Sequence, residues 1–268
     1  MVTPSLTRYV SHGVTLLGDL ARPGGVTFAF TERTGGVSLQ PYDALNLGSR
    51  CGDDPVHVAR NRALALGALG AAGIAERVVE PKQVHGDHIV VVRSADEDSL
   101  AQVRAEALEG ADAVVCTVPG VPVLLCFADC VPVVLVAPGA FAVVHSGWRG
   151  TFARISAKAV RSLCAEAGCD PSQVRAYLGP HIAGEDYEVS SELLGRFVDE
   201  FGTMVNVKGM LRNLSLSSAI TSTLKSAGVK PCLITDAQVS TASLTDRFFS
   251  YRAEGGHTGR HAAIAFLS

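Results

Sequence analysis

Three side chains stand out by type and setting: His85 in EPKQVHGDH, Cys130 in CFADC and His145 in VVHSGWRG. Each lies at or near the end of an apolar run, beside residues that turn the chain. A thiolate with two imidazoles is a ligand set that zinc accepts, and an open fourth position would make the site catalytic. Their intervals fit no local metal motif such as C-x2-C or H-E-x-x-H. On the residues alone two further accounts stay open. His145 could be a hydrogen-bonded core residue and Cys130 a small buried hydrophobe. Alternatively, Cys130 with a nearby His could be the thiolate nucleophile of a cysteine hydrolase.

The stretch from His145 to Thr151 joins an apolar run to a helical pattern, with Thr151 as the expected N-cap. A helix start presents free N–H groups and a positive dipole end, which favours an anion. Arg149 beside it could pair bidentately with phosphate. The competing account makes Trp148, the only tryptophan, a core anchor and pairs Arg149 with a structural carboxylate. Asp129 is the acid–base candidate, or else it orients a metal ligand. Gln83, two residues before His85, would share its strand face and reach a base edge. Cys126 reads as core with an inert thiol, His88 as facing away from His85, and His12 and His57 as surface.

The elements that must position these groups are strands mixed with helices. Short runs rich in Val at 26–30, 89–92, 113–115, 121–126, 131–137, 141–145 and 174–178 read as strands, as do 248–251 and 262–267. Residues 31–49 form a long polar loop with turns at Gly35-Gly36 and Pro41. Asp54 caps a helix with Pro55 at its first position, ending near Gly67 or Gly70. Phe152, Ile155, Ala159, Val160 and Leu163 share one face of a helix ending near Gly168. Two more helical patterns follow, through Leu194, Phe197, Val198 and Phe201, and through Leu216, Ile220 and Leu224. No regular βαβ rhythm is present, so the class is α+β.

Composition sets the outer limits. The 268 residues are 47% hydrophobic and 18% charged, which supports a large core and excludes a disordered chain. With no repeat and no linker, residues 1–268 read as one domain. A net charge of −3 offers no basic field for nucleic acid. The start, MVTPSLTRYV, lacks the pattern of a secretory signal. The apolar stretch 114–144 contains Pro119, Pro122, Asp129, Pro132 and Pro138, so it reads as buried strands rather than a membrane span. Seven cysteines without a paired framework point to reduced thiols and a cytoplasmic protein. No interface stripe is visible, and a monomer is expected.

TERTGGVS…PYDALNLG, QVHG, ADAVVCT…PGVPVLLCFADCVPVVLV, AVVHSGWRGT, LGPHI…YEV and FFSYR…HTGRHAA occur in this order. In this the chain resembles, from about Thr31 to Leu267, the laccase-domain family. That family was long labelled multicopper polyphenol oxidase and was later recognised as purine nucleoside phosphorylases. The resemblance implies a mixed β-sandwich flanked by helices, in four layers α/β/β/α. It implies zinc held by His85, Cys130 and His145, the trio singled out above. It also implies phosphorolysis of adenosine, inosine, guanosine and methylthioadenosine, with adenosine deaminase activity besides. Arg33 and Asn46 are placed near the pocket by the same resemblance, beside the alternative of plain loop support.

The chain departs from the family pattern in three places. Ser240-Thr241 stands where members often carry Cys-Thr, His181 where a small residue is usual, and Glu185-Asp186 where many have Cys. The older copper label fits the residues poorly. The eight histidines contain no H-x-H pair, with His85/His88 and His257/His261 the nearest approaches, and none of the three methionines adjoins the trio. Copper at a thiolate–imidazole site would then be adventitious, since Cu2+ stands high in the affinity order. The expectation is a zinc enzyme that places phosphate near Arg149 and Thr151. A non-catalytic module with structural zinc and a copper-dependent polyphenol oxidase are the other readings.

Overall fold

The computed structural model describes residues 3–268; Met1 and Val2, part of the stretch read above for a secretory signal, lie outside them. The chain begins β1 (Thr7–Ser11), β2 (Val14–Gly18), β3 (Val26–Thr31), α1 (Pro55–Ala68), β4 (Ile89–Val92) and α2 (Glu97–Gly110). It continues β5 (Ala113–Cys116), β6 (Val123–Phe127), β7 (Val131–Ala137), β8 (Ala140–Ser146), α3 (Trp148–Phe152) and α4 (Ile155–Ala167). It ends β9 (Arg175–Leu178), α5 (Ser191–Phe201), α6 (Leu216–Ser226), β10 (Ile234–Asp236) and β11 (His261–Leu267). The strands form a sheet of order β1-β2-β3-β11-β6 and a mixed sheet of order β10-β9-β7-β8-β5-β4.

Period-two patterning stacks the sheets. On β7, Val134 and Val136 meet Phe28, Phe30 and Phe127 between the sheets, while Val133 and Leu135 face Val160, Phe197 and Ile220 of the helices. Ala65 and Leu66 of α1 cover the far face of the first sheet against Leu16, Leu124 and Ile264. The layers are therefore α/β/β/α, and the fold is α+β. Among the described residues, no helix is long and apolar enough to cross a membrane.

Several local expectations change. Residues 248–251 form no strand; Phe248 and Phe249 are instead buried in irregular chain, where Phe249 carries the Arg33 guanidinium 4.3 Å from its ring centre. The helix expected through Phe152 and Ile155 is broken, because Arg154 takes a left-handed conformation at φ 59 between α3 and α4. Thr151 is not its cap; Gly147 is, and Thr151 lies inside α3. Two elements had escaped the pattern reading. One is the β1–β2 hairpin, turned by His12 and Gly13 at positive φ, the geometry of a tight two-residue turn. The other is α2, capped by Asp96, with only Leu100 and Ala107 buried.

Glu32, the residue after β3, carries a wholly buried carboxylate. It accepts hydrogen bonds from Arg8 at 2.7 and 3.0 Å and from Arg247 at 2.5 and 3.1 Å. Burial pushes its pKa up, but the hydrogen bonds and charges of the two arginines outweigh this and hold it below the ordinary 4.5. A depressed folded-state pKa stabilises the fold above the unfolded value and loses that stabilisation as pH falls through the folded value. Glu32→Gln is expected to lose about 2 kcal/mol near pH 7, less than a fully buried pair because Arg8 stays half exposed. Urea melts at pH 7 and at several values below 4.5 check it: the gap between wild type and variant should narrow with acid.

Candidate metal centre

Sheet register assembles the centre at one end of the second sheet. Val131 pairs with Ser146, so Cys130, one residue earlier, falls beside Gly147. Ala113 pairs with Val144, which sets Asp112 opposite His145, and the His145 N–H donates to the Asp112 carbonyl at 2.7 Å. β4 runs parallel to β5 and brings the preceding loop, with His85, to the same end.

Asp112 holds two of the three side chains. Its fully buried carboxylate accepts from the backbone N–H groups of Val84, His85 and Gly86 at 3.2, 3.0 and 2.7 Å. This fixes a loop in which His85 has a left-handed backbone, φ 59. The same carboxylate lies 2.7 Å from His145 Nδ1. A carboxylate held below its ordinary pKa can only accept, so Nδ1 carries the proton. That leaves His145 Nε2 as the ring's ligand atom. The His85 and His145 rings stand nearly perpendicular, 82°, with centres 4.8 Å apart. Ligand atoms of His85, Cys130 and His145 all lie within 4.8 Å of one another.

Electrostatics suit a cation. Burial raises the Cys130 pKa, but the charge of His145 and hydrogen bonds from His145 and His85 prevail and bring it down to about 6. Burial lowers His145, yet the Cys130 thiolate and Asp112 hold it up at about 9. Without metal the pair is thereby a thiolate beside an imidazolium, and binding a cation displaces the imidazolium proton. One soft thiolate, two imidazoles and a carboxylate behind one of them fit a borderline cation such as zinc, with a coordination position left over.

Gly147 makes the closeness possible. A Cβ there would stand 2.9 Å from Cys130 Sγ and 3.1 Å from His85 Cδ2. Its own φ of −76° suits any residue, so Gly147→Ala should fold and lose about tenfold or more in metal affinity. Competition with a chromophoric chelator measures this; wild-type affinity would mean that sulfur and ring can retreat.

The trio borders a cavity of about 620 Å³ whose wall includes Phe127, Trp148, Tyr187 and Tyr251. Asp129 also lines it, but both its oxygens are taken, by Thr241 Oγ1 and by the Arg252 N–H, each at 2.7 Å. It braces the Arg252 backbone. Gln83 reaches the cavity from an irregular loop, not a strand. Its amide is spent on both backbone groups of Cys126, at 2.8 Å each. Cys126, expected in the core, lines the cavity too, with burial pushing its thiol up to about 12.

Other candidates lie elsewhere. Arg149 is exposed, stacked 4.5 Å from the Trp148 ring centre, outside the cavity wall. Thr151 is buried; its hydroxyl meets Ser146 Oγ and its N–H donates to the Gly147 carbonyl, and it does not line the cavity. Arg33 is consumed by the Asp43 and Thr245 carbonyls and by Glu254. Asn46, fully buried, accepts from the N–H groups of Gly48 and Arg260, two residues of the wall, without lining it. His181 is buried with Nδ1 on the Gly179 carbonyl, and Ser240 donates to Asp186; neither lines the cavity. Sequence reasoning missed Asp112 and the cavity arginines Arg50, Arg252 and Arg260. The last two stood inside the quoted FFSYR…HTGRHAA segments.

Fold and site together define a two-sheet α+β protein with a three-ligand Cys/His centre beside a nucleoside-sized cavity. The family described as multi-copper polyphenol oxidoreductase laccase matches residues 27–268. A purine nucleoside phosphorylase of Deinococcus radiodurans is 37% identical over 246 residues, covering 90% of this chain and 89% of the relative. One of Corynebacterium glutamicum is 34% identical, covering 89% and 93%. The crystal structure of YlmD from Geobacillus stearothermophilus superposes with a TM-score of 0.87 at 30% identity, covering 98% of this chain and 99% of that one. The chain belongs to this laccase-domain family, whose curated relatives bear the name purine nucleoside phosphorylase.

Proposed function

We propose that the protein is a zinc-dependent purine nucleoside phosphorylase, acting in the cytoplasm as a single-domain monomer. Adenosine, inosine, guanosine and methylthioadenosine are its substrates, with adenosine deamination as a second reaction of the same cavity. The observation that carries the reading is the Asp112-oriented trio on the wall of an aromatic-lined cavity, in a chain similar to proteins named for this activity.

In phosphorolysis, phosphate attacks the anomeric carbon as the bond to the purine breaks. His85, Cys130 and His145 would hold the ion, which when bound supplies Lewis-acid charge at the cavity wall. The rings of Trp148, Tyr187 and Tyr251 offer flat apolar surface to a purine. Asp112 keeps the His145 tautomer, and Asp129 holds Arg252 in place.

Chromatography of products from zinc-loaded protein and adenosine, with and without phosphate, beside Cys130→Ala, tests the reading. Adenine formed only with phosphate, and absent in the variant, is the expected result. Inosine without phosphate-dependent adenine would make deamination the activity; neither product would overturn both.

The thiolate–imidazolium pair favours one further reading, a cysteine hydrolase using Cys130. A covalent adduct trapped on Cys130 during turnover would support it, and protection from alkylation by bound zinc opposes it. Copper oxidase chemistry calls for close imidazole pairs, whereas the described residues assemble one three-ligand group. Any copper held there is adventitious on this reading.

A further inference from the structure

Arg149 and Thr151, where the anion was expected, do not line the cavity, yet the cavity is rich in cationic donors. Arg50, Arg252 and Arg260 all line it. Among the described residues, none of the three forms an ion pair with a carboxylate. The carboxylates of the same wall are already committed. Glu80 is paired bidentately with Arg62 at 2.6 and 2.8 Å, and Asp129 accepts from Thr241 and Arg252.

Two of these arginines are mounted by buried polar side chains. The Arg260 N–H donates to Oδ1 of the fully buried Asn46 at 2.8 Å. Its stem packs on Gly48, where a Cβ would come within 2.7 Å of Cγ. Arg260 Nη1 is spent on the Thr258 and Gly259 carbonyls, both at 2.8 Å, which aims the fork while leaving Nε and Nη2 to donate. The Arg252 N–H is pinned by Asp129, and its Nη1 donates to the Glu188 carbonyl at 3.0 Å. Its guanidinium sits 5.1 Å from the Tyr187 ring centre. Guanidinium forks with unspent donors and no counter-charge match the oxygens of a tetrahedral oxyanion.

We propose that Arg252 and Arg260, with Arg50 at the rim, form the inorganic-phosphate subsite of the cavity, and that Asp129 and Asn46 are its positioning residues. This rests on the phosphorolysis reading and names where its second substrate sits. Binding of inorganic phosphate to zinc-loaded full-length protein, without nucleoside, is followed by calorimetry or by 31P line broadening. Arg252→Gln and Arg260→Gln should each weaken it about tenfold or more, Arg260→Lys should restore part, and Arg149→Gln should leave it unchanged. Thermal melts of each variant exclude unfolding. In turnover, the same two variants should raise KM for phosphate more than KM for nucleoside.

Wild-type phosphate binding in both glutamine variants, or its loss in Arg149→Gln, overturns the assignment. Arginine-dependent binding without phosphorolysis keeps the subsite and sinks the reaction. Phosphorolysis with unchanged phosphate KM in both variants does the reverse. A nucleoside 5′-monophosphate arm separates the sources. Tighter, equally arginine-dependent binding of that ester would assign the subsite to an ester phosphate and overturn the inorganic one.

A separate observation concerns the end of α4. Gly168 is left-handed at φ 62, and the Cys169 N–H closes back on the Cys164 carbonyl at 3.2 Å. At such a helix end the side chains flanking the closure normally meet as an apolar contact. Here both are thiols, with sulfurs 3.8 Å apart, Cys164 buried and Cys169 half-buried. We infer that Cys164 and Cys169 are a dithiol that peroxide converts to a disulfide. Peroxide oxidises the accessible Cys169 sulfur to a sulfenic acid with loss of water. Cys164 then attacks that sulfur, forming the S–S bond and releasing a second water.

Zinc-loaded protein treated with hydrogen peroxide should lose the mass of two hydrogens, recovered by dithiothreitol. The link should map to Cys164–Cys169, and Cys164→Ser should accumulate Cys169 sulfenic or sulfinic acid instead. A link to any other cysteine, or over-oxidation of Cys169 in the wild type, overturns the inference.

Discussion

Replacing Cys130 by alanine should remove metal and activity together while the fold survives. The thiolate is the only anionic ligand of the three, and the charge of His145, with hydrogen bonds from His145 and His85, outweighs burial and holds it ionised down to about pH 6. Losing it leaves two neutral imidazoles, a set that binds zinc weakly, so affinity should fall by more than about a hundredfold, beyond the loss typical of an outer-shell partner. Phosphate-dependent adenine release should fall to background. The change removes one sulfur from a half-buried position at a strand end, where β7 keeps all its pairing with β8. Metal content by elemental analysis, circular dichroism and product chromatography give the three readouts. Unfolding on metal loss, in the variant or in chelator-treated wild type, would make the centre a structural zinc site. Full activity without metal would end the metal's role.

The trio was legible because ligands are rare in type and stand where strands end. A thiol and two imidazoles at chain turns narrow the chemistry even when their spacing says nothing. The second sheet was legible for the reason that β7 and β8 are apolar on both faces, as strands between two layers must be. What surrounds the trio was not. Asp112 is one acid before a strand, and only the β5–β8 register reveals that it lies under His145. Arg260 precedes β11, which pairs with β6 from another region of the chain, with His261 opposite Phe127. No local pattern announces that an arginine there will line the same cavity as Cys130.

The errors have equally local causes. Thr151 looked like a helix cap because hydroxyls favour that position, but Gly147 takes it, as the contact with Cys130 and His85 demands. The run 248–251 looked like a strand because Phe, Phe and Tyr favour sheets. Phe248 and Phe249 are anchored instead as core plugs of a loop, whose Tyr251 and Arg252 face the cavity. α2 escaped because its buried face is two residues wide. Arg149 is the instructive case: the right residue type at a helix start, turned outward onto its own neighbour's ring.

Asp112→Asn is the sharper test of how the centre is built, since it keeps size and removes only the charge and one acceptor. In the wild type one carboxylate oxygen serves the His85 N–H and His145 Nδ1, and the other serves the N–H groups of Val84 and Gly86. An amide has one oxygen, so either orientation turns an NH2 group toward N–H donors. Each donor left buried without a partner costs about 1–3 kcal/mol. Turned one way, the amide loosens the loop that carries His85. Turned the other, it drives the proton of His145 from Nδ1 to Nε2 and removes that ligand atom. Both outcomes weaken the same site, so metal affinity and kcat/KM should fall about 10- to 100-fold. Nitrogen-15 shifts of the His145 ring distinguish the routes: an unprotonated Nδ1 with a protonated Nε2 marks the tautomer switch, and an unchanged ring marks the loosened loop. Wild-type metal affinity with an unchanged His145 tautomer would show that the trio stands without Asp112, and that sheet register alone sets the ligands.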